Sequence, residues 1–398
     1  MPEIAQTERT TMTQQHIDRK WFEETLLGET NHWLTATCTP GGFLQTVLDR
    51  QWRPMGKQYG TLVSQSRLLF VFAVGYERTG RGEYLDAIRN AADFLLAHFY
   101  DTANGGWFWQ VSPAGLVEDT TKGGYGHVFV MFGLTHAYRV TKDQRYLRAA
   151  LATWEVMKAK FRDSQGGYKQ QTNADFSQDA GVRSQNPMMH LFESLLALSD
   201  ATGLPTIREE AFALAEFLFT RLYQCDQGYL PEIYDQDWKP LPADQNGHVD
   251  VGHQFEWAFL LSDGVNHGLS ARYLDIARGL LEFGVRAGYD KSRGGIWSRA
   301  SYDGKPLDTC RKGWWQQCEL LRALMHHAAT RGREDLWPLF DQSLAYVKEH
   351  FIDPQYGGWY ENHSCCQPRP ADQWYKGTVW QVGYHVTGMY GEALRLAK

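Results

Sequence analysis

Six glycine turns recur along the chain at nearly even spacing, and that regularity limits the fold more than any other feature. They are Gly41-Gly42-Phe43, Gly105-Gly106-Trp107, Gly166-Gly167-Tyr168, Gln227-Gly228-Tyr229, Gly294-Gly295-Ile296 and Gly357-Gly358-Trp359. Measured at positions 42, 106, 167, 228, 295 and 358, the intervals are 64, 61, 61, 67 and 63 residues. Self-similarity at a fixed period is the signature of a repeat architecture. Each copy reads alike. An amphipathic run such as Glu83–His98 places Leu85, Ile88, Ala92, Leu95 and Leu96 on a helical period. It stops at an Asp-containing glycine turn, as in Asp101–Gly106, Asp163–Gly167 and Asp353–Gly358. A short aromatic, alternating stretch follows, such as Trp107–Val111, consistent with a small hairpin. A second helix then opens, as in His127–Tyr138.

Two helices in each of six repeats predict twelve helices. Six pairs suit closure into a double ring, so the expected fold is an all-α (α/α)6 barrel with short β-hairpins in the loops at one mouth. A chain of 398 residues would ordinarily suggest two or three domains. No linker interrupts the series, so the reading is a polar N-terminal tail over 1–20 and a single catalytic domain over 21–398.

Aligning the second helices by their distance from the glycine brings six polar residues to one level. They are Arg67, His127, His190, His253, Gln316 or Gln317, and His385. Glu193, Glu256 and Glu319 each follow three residues later, one helical turn along the same face. Helix starts in a closed ring converge on one mouth, which makes this ring a polar pocket. Histidine titrates near neutrality, so two imidazoles facing one substrate can act as proton donor and acceptor. The glutamates would orient the rings, and Arg67 would supply a fixed cation for a developing enolate oxygen. Metal chemistry has no HxxH, HExxH or HxH spacing behind it, so neither metal nor cofactor is expected. Trp107, Trp109, Trp257, Trp314, Trp315, Trp359, Trp374 and Trp380 fall in the hairpins or near helix starts, where flat rings suit the C–H faces of a sugar or serve as core. Lys122, Lys312 and Lys376 each precede a glycine near a helix start, which leaves a phosphorylated sugar conceivable. There is no phosphate-binding glycine loop and no Gly-x-Ser-x-Gly elbow.

The remaining features exclude classes. A net charge of −6 without a Lys/Arg track argues against nucleic acid. No apolar stretch is long enough for a membrane span, and Met1–Lys20 has no signal-like apolar core. The six cysteines lack a CxxC pair, so reduced thiols in a cytoplasmic protein are expected, as a monomer or homodimer.

Several stretches carry a resemblance. Arg183-x-x-Asn186-Pro187-Met188-Met189-His190-Leu191-x-Glu193, Gly252-His253-x-x-Glu256-Trp257, Trp314-Trp315-x-x-x-Glu319 and Tyr384-His385 resemble the N-acylglucosamine 2-epimerase superfamily. The resemblance runs from about Trp21 to the C-terminus and implies the same barrel. It also implies metal-free proton transfer at sugar C2 through an enediol. His253 and His385 would be the acid/base pair, and His190 and Glu256 would assist, with ring opening a task for His190. Arg67 would contact oxygens near C1 and C2, and Trp315 would line the pocket. His127, Glu193, Gln317 and Glu319 complete the expected substrate-binding set. The stretch Ala243–Gly252 lacks an arginine that isomerase relatives often carry, so His248 or Asp250 would replace it and an anionic substrate is disfavoured. His190 resembles the mannose-isomerase and cellobiose-epimerase branches. The expected reaction is D-mannose to D-fructose, with sugar 2-epimerisation of mannose/glucose, cellobiose or N-acylglucosamine as the alternative. Remoter readings are a glycoside hydrolase drawing a carboxylate pair from Asp175, Asp179, Asp235, Asp250 and Asp303, and a catalytically silent sugar-binding protein.

Overall fold

The computed structural model describes residues 13–366 and 374–398. Among these are twelve α-helices of thirteen residues or more, alternating between an outer and an inner layer. The outer helices are α1 (Arg19–Thr37), α3 (Gly82–His98), α5 (Gln144–Val156), α7 (Pro205–Arg221), α9 (Tyr273–Gly288) and α11 (Trp337–His350). The inner helices are α2 (Leu62–Thr79), α4 (Gly124–Thr141), α6 (Gln185–Thr202), α8 (Val251–Asn266), α10 (Trp314–Thr330) and α12 (Tyr384–Leu396). Burial separates the layers. In α4 every residue from Gly126 to Ala137 is buried, whereas α9 buries one stripe, including Tyr273, Ala277, Leu280, Leu281 and Gly284. Each inner helix packs on its neighbours, and α12 packs on α2, so the ring closes as expected. One hydrophobic cluster extends from Ile17 to Ala397. The expected boundary at residue 21 falls inside α1, and residues 1–12 of the expected tail lie outside the described residues.

The glycine turns do what their repetition implies. Both glycines of the doublets at 105–106, 166–167, 294–295 and 357–358 have positive φ, which a residue with a Cβ adopts only at a cost. In each, the backbone N–H of the aspartate (Asp101, Asp163, Asp290 or Asp353) donates to the second glycine's carbonyl, reversing the chain after the outer helix. The same aspartates anchor the start of the following inner helix through a buried cation. The pairs are Lys122–Asp101 at 2.8 Å, Arg183–Asp163 at 2.7 Å, Lys312–Asp290 at 2.9 Å and Lys376–Asp353 at 3.1 Å. These lysines are fully buried structural ties, so the phosphate contact left open for them by the sequence is not their use.

The strands are two or three residues long, and they join repeats. The strand before an inner helix pairs with the strand after the next glycine turn: β1 (Gly60–Thr61) with β2 (Gln110–Val111), β4 (Lys122–Gly123) with β5 (Gln171–Thr172), and β6 (Arg183–Ser184) with β7 (Ile233–Tyr234). The series continues with β8 (Val249–Asp250) on β9 (Arg299–Ala300) and β10 (Arg311–Gly313) on β11 (Asn362–Ser364). A bridge between Leu48 and Gly377 repeats the pattern where the sixth repeat meets the first. The expected local hairpins exist as well, as β2 with β3 (Val117–Asp119) and as single bridges such as Tyr234–Pro240 and Ala300–Pro306.

Cysteine usage departs from expectation. Cys310 and Cys366 form a disulfide between the chain entering β10 and the chain leaving β11, and Cys38, Cys225, Cys318 and Cys365 are free thiols. Linear spacing could not show this, because the pair lies 56 residues apart and meets through the β10–β11 ladder. No described helix is long and apolar enough to cross a membrane.

Candidate active site

A cavity of about 770 Å³ opens at the mouth where the inner helices begin. Every inner helix contributes to its wall: Arg67 from α2, Tyr125 from α4, His190 from α6, His253 from α8, Trp315 from α10 and His385 from α12. Helix caps set these positions. Ser184 accepts from Asn186 N–H to start α6, and Asp250 accepts from Gly252 and His253 N–H to start α8. His253 therefore sits in the first turn of its helix, held to the cavity by its own N-cap.

Two histidine–carboxylate dyads face the cavity. His253 Nδ1 lies 2.7 Å from Glu232 Oε2, and His385 Nδ1 lies 2.8 Å from Glu319 Oε1. A carboxylate on Nδ1 fixes that nitrogen as the N–H and leaves Nε2 for chemistry. Trp315 packs against both rings in a tilted arrangement, its ring centre 4.7 Å from that of His253 and 5.4 Å from that of His385. Arg67 donates to Tyr125 Oη at 2.6 Å and lies over the Phe129 and Tyr384 rings, which orient its guanidinium toward the cavity.

The two dyads hold their imidazoles in different protonation states. Burial alone would lower the pKa of His253, but Glu232 and Asp250 outweigh it and raise the imidazole to about 10. Burial lowers His385 well below its ordinary range, with Arg67 and His190 adding to the effect. The difference lies in the partners. Glu232 is a full carboxylate, accepting from Ser184 Oγ at 3.1 Å and Gln185 Nε2 at 2.7 Å besides His253. Glu319 is buried, and burial raises its pKa to about 7 despite Arg322. At neutral pH the two dyads present one imidazolium and one neutral imidazole.

Of the ten site residues expected from the sequence, Arg67, His190, His253, Trp315 and His385 line the cavity. Glu193, Glu256 and Glu319 lie outside that lining, one helical turn further along the inner helices. Glu193 accepts from the Tyr384 hydroxyl and lies 3.4 Å from His190 Nδ1. His127 and Gln317 are not brought to the cavity. His127 Nε2 accepts from Trp107 N–H at 3.0 Å while Nδ1 donates to Gly123 O, and Gln317 brackets Ile296 by accepting from its N–H and donating to its carbonyl. Both clasp the residue after a glycine turn. The distance from glycine to inner helix varies by several residues between repeats, and one residue of misalignment rotates a side chain by about 100°. That is enough to confuse the clasping face with the cavity face.

Glu232 was missed, although a signal existed. Trp109, Gln170, Ser298 and Glu361 each stand three residues after a second glycine and Glu232 stands four after, and all five line the cavity. His248 and Asp250, the expected replacements for the missing arginine, also line it, as does Arg299, whose strand pairs with Asp250. Among the tryptophans, Trp109, Trp314, Trp315 and Trp380 reach the cavity, while Trp107, Trp257 and Trp359 are core. Of the five aspartates considered for a hydrolase, only Asp250 lines the cavity, and its carboxylate caps α8. Glu256, Glu319 and His385 place one donor atom each within 4.8 Å of one another. The buried Arg322 guanidinium, 3.6 Å from Glu319, and the His385–Glu319 hydrogen bond argue against a metal ion there.

The sequence profile of a family described as N-acylglucosamine 2-epimerase matches residues 41–388. A D-mannose isomerase of Marinomonas mediterranea is 25% identical over 401 aligned residues, covering 95% of this chain and 98% of that relative. The crystal structure of a D-mannose isomerase superposes with a TM-score of 0.88 at 23% identity, covering 94% of this chain and 97% of that one. The cellobiose 2-epimerase of Spirochaeta thermophila follows at 0.81 and 23%, covering 100% and 98%. At these identities the structural likeness speaks for the fold.

Proposed function

The chain belongs to the N-acylglucosamine 2-epimerase family, and from that premise we propose that it is an aldose–ketose isomerase interconverting free D-mannose and D-fructose. The observation that carries this reading is the pair of histidine–carboxylate dyads facing one cavity beside Trp315, one with a protonated and one with a neutral imidazole. Neutral His385 takes the C2 proton of the open-chain sugar on Nε2 and returns it to C1, while the His253 imidazolium gives a proton to O1 and regains one from the O2 hydroxyl as C2 becomes the ketone. Arg67 and the His253 imidazolium hold the oxygens on which enediolate charge develops. His190, packed against Tyr125 and His385 at the cavity wall, assists ring opening. In this reading the side chains supply both the base and the oxygen contacts, the reaction runs without metal or cofactor, and the partner is a monosaccharide.

Epimerisation shares the first step and differs only in where the proton returns, since His253 could deliver one to the opposite face of C2. The lining favours this as the second reading, because Trp109 and the exposed Trp380 offer ring faces on which a second sugar unit could rest. A panel of mannose, glucose, cellobiose and N-acylglucosamine in heavy water separates the two. Ketose from mannose supports the isomerase, whereas an aldose deuterated at C2 without ketose supports the epimerase. His253→Ala and His385→Ala should each abolish turnover with an unchanged circular dichroism spectrum, and normal turnover in either would remove the proposed pair. Loss of activity to a chelator would sink the metal-free mechanism.

A further inference from the structure

Outside the cavity lining the two carboxylates nearest His385 face each other with too few donors between them. Glu256 comes from α8 and Glu319 from α10, and both are fully buried. Glu319 Oε1 is taken by His385 Nδ1 at 2.8 Å, but Glu319 Oε2 and both oxygens of Glu256 have no hydrogen-bond partner. The groups around them are His190 and Glu193 from α6, Arg67 from α2 and Tyr125 from α4. His253 from α8, Arg322 from α10, and Tyr384 and His385 from α12 complete the surroundings. His190 Nδ1 stands 3.8 Å from Glu256 Oε1, and the Arg322 guanidinium stands 3.6 Å from Glu319 Oε2. Carboxylate oxygens of the two lie within 4.8 Å of each other, and at full burial two ionised carboxylates so close are strongly disfavoured, because a like charge costs far more there than in solvent. The arrangement requires a proton between them, as in other paired buried acids.

We propose that Glu256 and Glu319 form one acid holding a single proton, carried by Glu256, and that this proton keeps His385 the neutral, proton-accepting member of the two dyads. Burial pushes Glu256 well above the usual carboxylate range, and Glu319 pushes it further. The contrast with His253 follows directly. Glu232 is satisfied by hydroxyl and amide donors, keeps its full charge and draws a proton onto His253. Glu319 shares its charge with a neighbouring acid and leaves His385 uncharged until substrate arrives. When His385 Nε2 takes the C2 proton, its Nδ1–H stays on Glu319 and the shared proton stays on Glu256. The new imidazolium then lies against one net negative charge, and delivery of the proton to C1 restores the starting state. Glu256 is thus a positioning residue that acts through Glu319.

The kinetic part of this proposal rests on the isomerase reading, and a spectroscopic part does not. Infrared difference spectra of the full chain at neutral pH, wild type minus Glu256→Gln, should show the carbonyl stretch of a protonated carboxylic acid, shifted in heavy water. Persistence of that band in Glu256→Gln would overturn the proposal whether or not any sugar is turned over. The glutamine keeps the side-chain volume, so this measurement survives even if smaller substitutions fail to fold. The acidic limb of kcat/KM gives the second readout. In Glu256→Ala, Glu319 loses its proton donor, becomes a full carboxylate and draws a proton onto His385, so the limb should move up by at least about one pH unit. In Glu256→Gln the amide N–H stands in for the shared proton, so the limb should stay near that of the wild type. Equal displacement in both variants would show that the Glu256 charge is what matters, contrary to the proposal.

Discussion

The different protonation states of His253 and His385 make a prediction at the scale of single residues. His385 is neutral down to well below its ordinary range, so base function is present at neutral pH and lost only as pH falls through that lowered value. His253 keeps its proton until about pH 10, so acid function is lost as pH rises through it. The pH profile of kcat/KM should therefore be a broad plateau rather than a narrow bell. Glu232→Gln removes the carboxylate that raises His253, and an opposite charge at this distance is worth about one to three pKa units. The alkaline limb should move toward neutrality by that much while the acidic limb, set at the other dyad, stays in place. An alkaline limb that does not respond to Glu232→Gln would detach it from His253. The residues of both dyads except Glu232 were legible in the sequence, because His253, His385 and Glu319 lie on helices whose period is visible. Glu232 lies in a loop, and its partner is 21 residues away. It could be found only by counting from the glycine turn, and a count of three reaches the cavity in four of the six repeats and falls one residue short of Glu232 in a fifth.

At the scale of the element, the inner helices sit close enough for glycine to be required. A Cβ at Gly133 of α4 would lie 2.4 Å from the Ser66 carbonyl oxygen of α2. Gly133→Ala must separate the two helices, at a cost of about 1–3 kcal/mol for an overpacked core. Ser66 precedes Arg67, so the same substitution should raise KM as well as lower the thermal midpoint; a lower midpoint with unchanged KM would separate this contact from the site. The turn aspartates make a second element-scale prediction. Lys312 is wholly buried against Asp290. Lys312→Met leaves a buried carboxylate without its cation and should cost about 3–5 kcal/mol in urea denaturation, whereas the double replacement with Asp290→Asn should recover most of that. If the double variant is as unstable as the single one, the lysine contributes through packing and not through charge. From the sequence these lysines looked like ligands because they stand before a glycine at a helix start. Their role became visible only once the preceding turn had folded the aspartate back over the same helix end, a contact across about twenty residues.

For the whole molecule, the even glycine spacing predicted six units, but spacing alone fits an open stack of repeats as well as a closed ring. Closure depends on contacts between residues some three hundred positions apart, which no period reports. At the seam α12 packs on α1 and α2, Leu48 bridges to Gly377, and Asp353 is shared by Arg50, at 2.8 Å, and Lys376, at 3.1 Å. Arg50 also lies 4.3 Å over the Trp374 ring. The seam thus repeats the turn-aspartate tie of the other repeats and adds a cation from the first repeat to it. In an open array, stability is a sum over neighbouring repeats, and a weakened end frays by itself. In a ring each repeat has two neighbours and the seam is held from both sides. Arg50→Ala should therefore remove about 2 kcal/mol, the worth of hydrogen bonds to a charged group, and lower the midpoint of a single calorimetric transition without splitting it. A separate low-temperature transition in that variant would mean that the terminal repeats melt independently. Because His385 belongs to the last repeat and Arg67 to the first, activity would then be lost at the lower of the two temperatures, ahead of the main loss of helix.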